Sequence, residues 1–417
     1  MVRWRLRWGG WGAVCALLAL SAAGCSSGGS SGASGSSSTA VRLDAGPAAA
    51  TAVTPLHISA SGLPPSGLVT VQARTADHDG RPWESAGTFR SSSTGTLDLA
   101  SAAPVSGSYH TADVGGLLWS LHPAFSTAPD TGFVASRTGF TVQLTVLTGG
   151  HVRARTTLER LLPATSSTPT VAKDGFAATS YSPVSARPGA PAIVVIGGYP
   201  DDEDIPVAQG LAMSGYPALA VGYFNEPGLS KCQCSTPLEY FIRTISWLRA
   251  QPAARGRQVV LYGGSDGTQA ALLLAAYQPH LADAVVLSSP TDVIHSAFGG
   301  SGPGWTYGGK PLSVGSLIPV GKIRVPVLIG DGGQDAAWDS AGSATAITSE
   351  IRQTPGHAAI TNLYYPSAGH YYFGKFPYFP FFTDTQLGGS QQANALATEQ
   401  FWTHMLTFLN SIPAQGT

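Results

Sequence analysis

Val259-Val260-Leu261-Tyr262-Gly263-Gly264-Ser265-Asp266-Gly267-Thr268 is the stretch that decides the fold of this chain. Its first four residues are the unbroken apolar run of a strand buried on both faces. A helical stretch, Thr268 to Gln278, follows at once. A Gly-x-Ser-x-Gly pentapeptide says little by itself in a chain with 51 glycines. Between a buried strand and a helix it marks a sharp turn with a nucleophile at its apex. Backbone should approach positions 263 and 267 too closely for a Cβ, and Ser265 should be held strained with its hydroxyl presented.

Outward from this turn the same alternation continues. Ala192 to Ile196, Ala218 to Val221, Ala284 to Leu287 and Val325 to Ile329 are further apolar runs. Helical stretches separate or follow them at Val207 to Met213, Leu238 to Ala250, Ala341 to Ile351 and Ala393 to Leu409. Strands alternating with helices predict an α/β sheet covered on both faces, over residues 191–417.

A serine hydroxyl becomes a useful nucleophile only when a positioned base takes its proton. In a sheet of this kind the acid and the histidine follow the serine in that order. His370 lies in a loop after the strand-like run Asn362 to Tyr365, where such a base belongs. His404 falls inside the last helix, and His357 follows Pro355-Gly356 in a loop. The run Val325 to Ile329 leads into Gly330-Asp331-Gly332-Gly333-Gln334-Asp335, where an orienting carboxylate should stand. Asp335 has the better reach, with Asp331 in reserve. For the oxyanion, one N–H should come from Asp266, and a second from Gly198 or Tyr199 in the loop after Ile196. Such a triad needs no metal or organic cofactor.

Residues 54–165 show another pattern. Val142, Leu144 and Val146 alternate with Thr141, Gln143 and Thr145, and Gly149-Gly150 closes the run. Leu56, Ile58, Ala60 and Val69, Val71 alternate likewise between turns rich in Gly, Pro and Asp, the signature of an all-β immunoglobulin-like sandwich. The Ser-, Thr-, Pro- and Ala-rich stretch 166–190 reads as a linker.

The chain of 417 residues opens with Arg3, Arg5 and Arg7, an apolar stretch, and small residues before Cys25. That order predicts a signal peptide over 1–24 and lipidation of Cys25, with a Ser/Gly-rich tether over 25–53. Cleavage removes three arginines and no acid, which leaves a mildly acidic product anchored to the outer face of a bacterial membrane. With 23 basic against 24 acidic residues and no basic run, nothing favours nucleic acid as a partner. Cys232 and Cys234 either bridge each other after export or stand free, and no His or Cys cluster nearby completes a zinc site.

The chain resembles the family of acyl-CoA thioesterases and bile acid-CoA:amino acid N-acyltransferases over about residues 54–410. The resemblance rests on Gly107-Ser108-Tyr109, Gly116 to Leu121, Leu238 to Phe241, the serine turn and Gly330 to Trp338. It continues through Tyr365 to His370, Tyr378-Phe379-Pro380 and Ala393-Asn394-Ala395 with Trp402. It implies a β-sandwich before an α/β-hydrolase domain, and Ser265, Asp335 and His370 as the triad. Amino-acid-conjugating members carry cysteine where Ser265 stands, which favours hydrolysis over transfer. Many members have lysine at the position of Asp266, so a charge there should disfavour an anionic acyl donor. Asp201 to Asp204 adds an acidic run beside the oxyanion loop, read as a solvated loop.

The expected activity is therefore serine-dependent cleavage of a small acyl ester or thioester. Transfer of the acyl group to an alcohol or amine, an exported serine peptidase, and a non-catalytic binding lipoprotein are the alternatives. The aromatic segment Tyr371 to Phe382 should either line an acyl pocket or pack the core.

Overall fold

The computed structural model describes residues 40–124, 132–198, 204–370, 375–380 and 387–413. From Ala40 onward the chain forms one compact unit. Its N-terminal part is all-β. One sheet is built on the long antiparallel strands Leu68–Ala76, Pro82–Arg90, Gly139–Thr148 and His151–Leu161. A smaller sheet of three strands accompanies it. The predicted alternation is visible in the packing: Val69, Val71, Ala73, Val142, Leu144 and Val146 are all fully buried. Each such valine or leucine contributes roughly 1.5–3 kcal/mol of burial free energy. One difference is local. Gly116–Trp119, in a region read only as strands, is a short buried helix.

The second part is a mixed eight-stranded sheet whose strands are numbered here in chain order. They are β1 (Thr165–Ser167), β2 (Ala177–Tyr181), β3 (Ala192–Ile196) and β4 (Ala218–Gly222). Then come β5 (Val259–Gly264), β6 (Ala284–Ser288), β7 (Val327–Gly332) and β8 (Ile360–Tyr365). Their spatial order is β1-β2-β4-β3-β5-β6-β7-β8. The pairings β1–β2 and β2–β4 are antiparallel and the other five parallel, so this is an α/β-hydrolase-like sheet. The five strands β3 to β7 are wholly buried, as their unbroken apolar runs require.

Besides the single turn Val171–Asp174, the helices described in this part are α1 (Asp204–Met213), α2 (Leu238–Ala250), α3 (Gly267–Tyr277), α4 (Ser340–Gln353) and α5 (Gln391–Ser411). The stretch 166–190 is more than a connector, because it holds β2 and most of β1. The two parts share one apolar core. Phe379 meets Phe133 and Phe140 of the β part edge-on at 5.6 and 5.7 Å, and the Gln391 amide donates to the Trp119 carbonyl at 2.8 Å.

Candidate active site

The site grows from the end of β5. Ser265 has φ +54°, a left-handed conformation that side chains of its type rarely adopt. Such strain costs about 1–3 kcal/mol and persists only where surroundings over-determine it. Here Ser265 N–H donates to the Ser288 carbonyl at 3.1 Å, and the Ser265 carbonyl accepts from Thr268 N–H and Oγ1 at 3.0 and 2.6 Å. The flanking glycines are required as predicted. A Cβ at 263 would lie 2.8 Å from Thr268 Cα, and one at 267 only 2.0 Å from the Ile196 carbonyl oxygen.

The turn aims Ser265 Oγ at His370, whose Nε2 is 2.8 Å away. His370 Nδ1 lies 2.7 Å from Asp335 Oδ2. The other oxygen of Asp335 accepts from the N–H groups of Ala337 and Trp338 at 2.9 and 3.2 Å. The His370 and Asp335 side chains are only 3% and 1% exposed, so water cannot compete for their bonds. Asp335 stands just past β7 and His370 just past β8, in loops that the parallel register brings beside β5.

Asp331, the reserve acid, is not joined to His370. It lies inside β7, is 1% exposed, and neither carboxylate oxygen has a hydrogen-bond partner among the described residues. Burial pushes it up to about 7, opposed in part by the Asn362 side chain.

The pairing of Ile196 with Gly263 carries Gly197 and Gly198 alongside the serine turn. Tyr223 Oη fixes this loop by donating to the Gly197 carbonyl at 2.8 Å. Asp266, the expected first oxyanion donor, stands at the N-cap position of α3 without a side-chain capping bond, where the helix N-terminus favours negative charge. Of the two candidates for the second donor, Gly198 is buried beside the site, and Tyr199 lies outside the described residues. So do Cys25, Asp201 to Glu203, Tyr371 to Phe373, and Phe381 with Phe382.

The Asp266 side chain does not face open solvent. Its Oδ1 accepts from Gln269 Nε2 at 2.7 Å and lies 3.1 Å from His295 Nδ1. Nothing in the sequence marks His295. Its ring meets Trp338 edge-on at 5.0 Å, and the other side of this contact is His370, 4.4 Å from Trp338. The spacing of 29 residues between Asp266 and His295 offered no signal, because a long excursion after β6 brings them together.

Phe376 and Phe379 are core residues in mutual contact, 5.0 Å apart, rather than pocket lining. Among the described residues, His404 and His357 bond only local backbone carbonyls. Cys232 and Cys234 are joined as a disulfide. Among the described residues no group of three or more His, Cys, Asp or Glu is placed to hold a metal ion.

Sheet order, serine turn and buried Ser–His–Asp geometry together define an enzyme of the α/β-hydrolase class. Residues 53–170 match the acyl-CoA thioester hydrolase/BAAT N-terminal region, and residues 236–298 and 309–413 match the BAAT/acyl-CoA thioester hydrolase C-terminal region. The chain belongs to this family of thioesterase-like hydrolases. It is 26% identical to acyl-coenzyme A thioesterase 1 of Rattus norvegicus, over 85% of this chain and 93% of that protein. It is also 27% identical to acyl-coenzyme A thioesterase 5 of Mus musculus, with the same coverage. Among solved structures, the α/β hydrolase MGS-M1 from a deep-sea metagenome library aligns with a TM-score of 0.39 and 15% identity, over 59% of this chain and 96% of that one.

Proposed function

We propose that the protein hydrolyses acyl thioesters or esters through a Ser265–His370–Asp335 triad and an acyl-enzyme. The observation that carries this reading is the unbroken pair of short contacts, 2.8 Å from Ser265 Oγ to His370 Nε2 and 2.7 Å from His370 Nδ1 to Asp335 Oδ2. His370 Nε2 takes the hydroxyl proton as Ser265 Oγ attacks the acyl carbonyl. Asp335 keeps the proton on Nδ1 and stabilises the imidazolium without taking it. The Asp266 N–H, at the start of α3, and an N–H from Gly198 or Tyr199 hold the oxyanion. His370 then gives its proton to the departing thiolate or alkoxide. It next activates a water that releases the acid and frees Ser265.

Acyl-coenzyme A is tried because the relatives named above are called after it, and neutral esters beside it because the Asp266 carboxylate weighs against an anionic acyl donor. A serine in place of a cysteine supports hydrolysis over transfer to an amine. The experiment is turnover of a panel of acyl-CoAs and p-nitrophenyl esters by wild type and Ser265→Ala. We expect a signal in at least one class that the variant loses. Equal turnover by both proteins refutes the mechanism, and product diverted to an added alcohol or amine converts the reading to a transferase.

We further propose that the enzyme works outside the cytoplasm, held by a lipid on Cys25. Support comes from the order of Arg3 to Cys25 and from the Cys232–Cys234 disulfide, a bond that persists in oxidising compartments. Cys25→Ser should release the protein from the membrane fraction, and retention there would refute the anchor.

A further inference from the structure

Asp266 poses an electrostatic problem for the site proposed above. The residue whose N–H is to stabilise a developing negative charge itself carries a carboxylate. A like charge so near a dry oxyanion site opposes the transition state, because interactions there are little screened. In solvent the charge would be weakened by water, but Asp266 is buried, with 6% of its surface exposed.

The surroundings answer the charge through one residue. His295 Nδ1 stands 3.1 Å from Asp266 Oδ1, and an ionised carboxylate can only accept there, so Nδ1 carries a hydrogen. On the far side of the ring, Nε2 lies 3.1 Å from Thr291 Oγ1. Thr291 Oγ1 also accepts from Val293 N–H at 3.2 Å, so both ring nitrogens of His295 are held and the Nδ1–H is fixed on the Asp266 carboxylate.

The pair is also braced. Gln269 donates to Asp266 Oδ1 through Nε2 at 2.7 Å, and its Oε1 accepts from His295 N–H and Trp305 Nε1 at 2.8 and 3.1 Å. Gln269 and Trp305 are fully buried, so the bracket that holds carboxylate and ring together is rigid. The ionisable groups facing His295 are Asp266 from the α3 turn and, across the Trp338 ring, His370 with its Asp335.

We propose that His295 is a positioning residue for the oxyanion site, offsetting the Asp266 carboxylate through the Nδ1–H it donates and fixing the N-terminal turn of α3 from which the oxyanion N–H is presented. The proposal rests on the triad reading and extends it to a residue outside the triad. It assigns the Asp266–His295 pair the task of making an acid tolerable directly after the nucleophile.

The test is a double-mutant cycle on a neutral p-nitrophenyl ester, with wild type, His295→Gln, Asp266→Asn and the double variant. In the wild-type background His295→Gln should lower kcat about 10- to 100-fold with KM within about twofold, since it uncovers a buried like charge. In the Asp266→Asn background, where no charge remains to offset, the same change should cost less than about threefold. A ring that merely packs against Trp338 would cost the same in both backgrounds, and that result overturns the proposal. So does an unchanged kcat, or a loss confined to KM. Should His295→Gln fail to fold, as judged by its unfolding midpoint, His295→Asn carries the same cycle. Turnover that does not depend on Ser265 would instead strike at the triad itself, and Ser265→Ala in the same assay separates the two failures.

Discussion

Two of the buried polar clusters among the described residues are built on opposite terms. At the end of β5 every polar atom of the triad has a partner: Ser265 has His370, His370 has Asp335, and Asp335 has two backbone N–H groups besides. Where the β part meets α5, the buried groups are poorly matched. Asp113 is well bonded, to Gly115 N–H at 2.7 Å and Trp119 Nε1 at 2.6 Å. Beside it, however, Glu399 Oε1, Trp402 Nε1, Tyr109 Oη and Arg160 Nε have no hydrogen-bond partner among the described residues. Burial, and then the neighbouring Asp113, push Glu399 up to about 8, and burial lowers Arg160 to about 10. Paired charges in a dry setting are organised for chemistry, whereas unpaired ones are simply expensive. The contrast predicts that substitutions in the first cluster cost activity and those in the second return stability.

The largest effect should come from Asp335→Asn, which keeps the shape but loses the tautomer: kcat should fall on the order of 10⁴-fold. Asp331→Asn, four positions away, should leave kcat within about threefold, and steady-state kinetics on both variants would show whether the two acids are as different as their bonding. Gly267→Ala comes next, because its Cβ would meet the Ile196 carbonyl. We expect about 3 kcal/mol or more of lost stability, read by denaturant unfolding.

The third prediction concerns pH. The unfolded chain releases the Asp331 proton near its usual value of 3.8, and the folded chain only near 7. Glu399 shifts in the same sense, from 4.5 to about 8. The folded form thus holds protons that the unfolded form has shed, and wild-type stability should fall as pH rises through that window. At pH 8 Asp331→Asn and Glu399→Gln should each regain up to about 4 kcal/mol. At pH 4 both gains should shrink toward zero, as unfolding curves at the two pH values would reveal. Smallest of all, Tyr223→Phe removes the hydroxyl that holds the Gly197 carbonyl and should slow turnover only a few-fold.

Much of this was legible in the sequence, for identifiable reasons. β3 to β7 announce themselves because a strand buried on both faces must be apolar throughout; Ser265 and Asp335 lie just past such strands, and His370 just past the half-exposed run Asn362 to Tyr365. Where sequence reasoning failed, the elements lacked that compulsion. β2 is Ala177-Ala178-Thr179-Ser180-Tyr181, small and partly polar, and its place in the sheet comes from antiparallel pairing with β4. Gly116–Trp119 is too short for a helical period to register. The partnership of Asp266 with His295 depends on where a loop returns in space, which no local spacing encodes. The aromatic residues near 376–379 could be read as pocket or core, and only the contact of Phe379 with Phe133 and Phe140 decides for core.

The most direct test is to treat the intact protein with a fluorophosphonate and find the modified residue by peptide mass spectrometry. A nucleophile activated by His370 should yield a single adduct on Ser265, absent from Ser265→Ala and strongly slowed in His370→Ala. An unmodified wild-type protein, or an adduct that persists when Ser265 is replaced, would contradict the account.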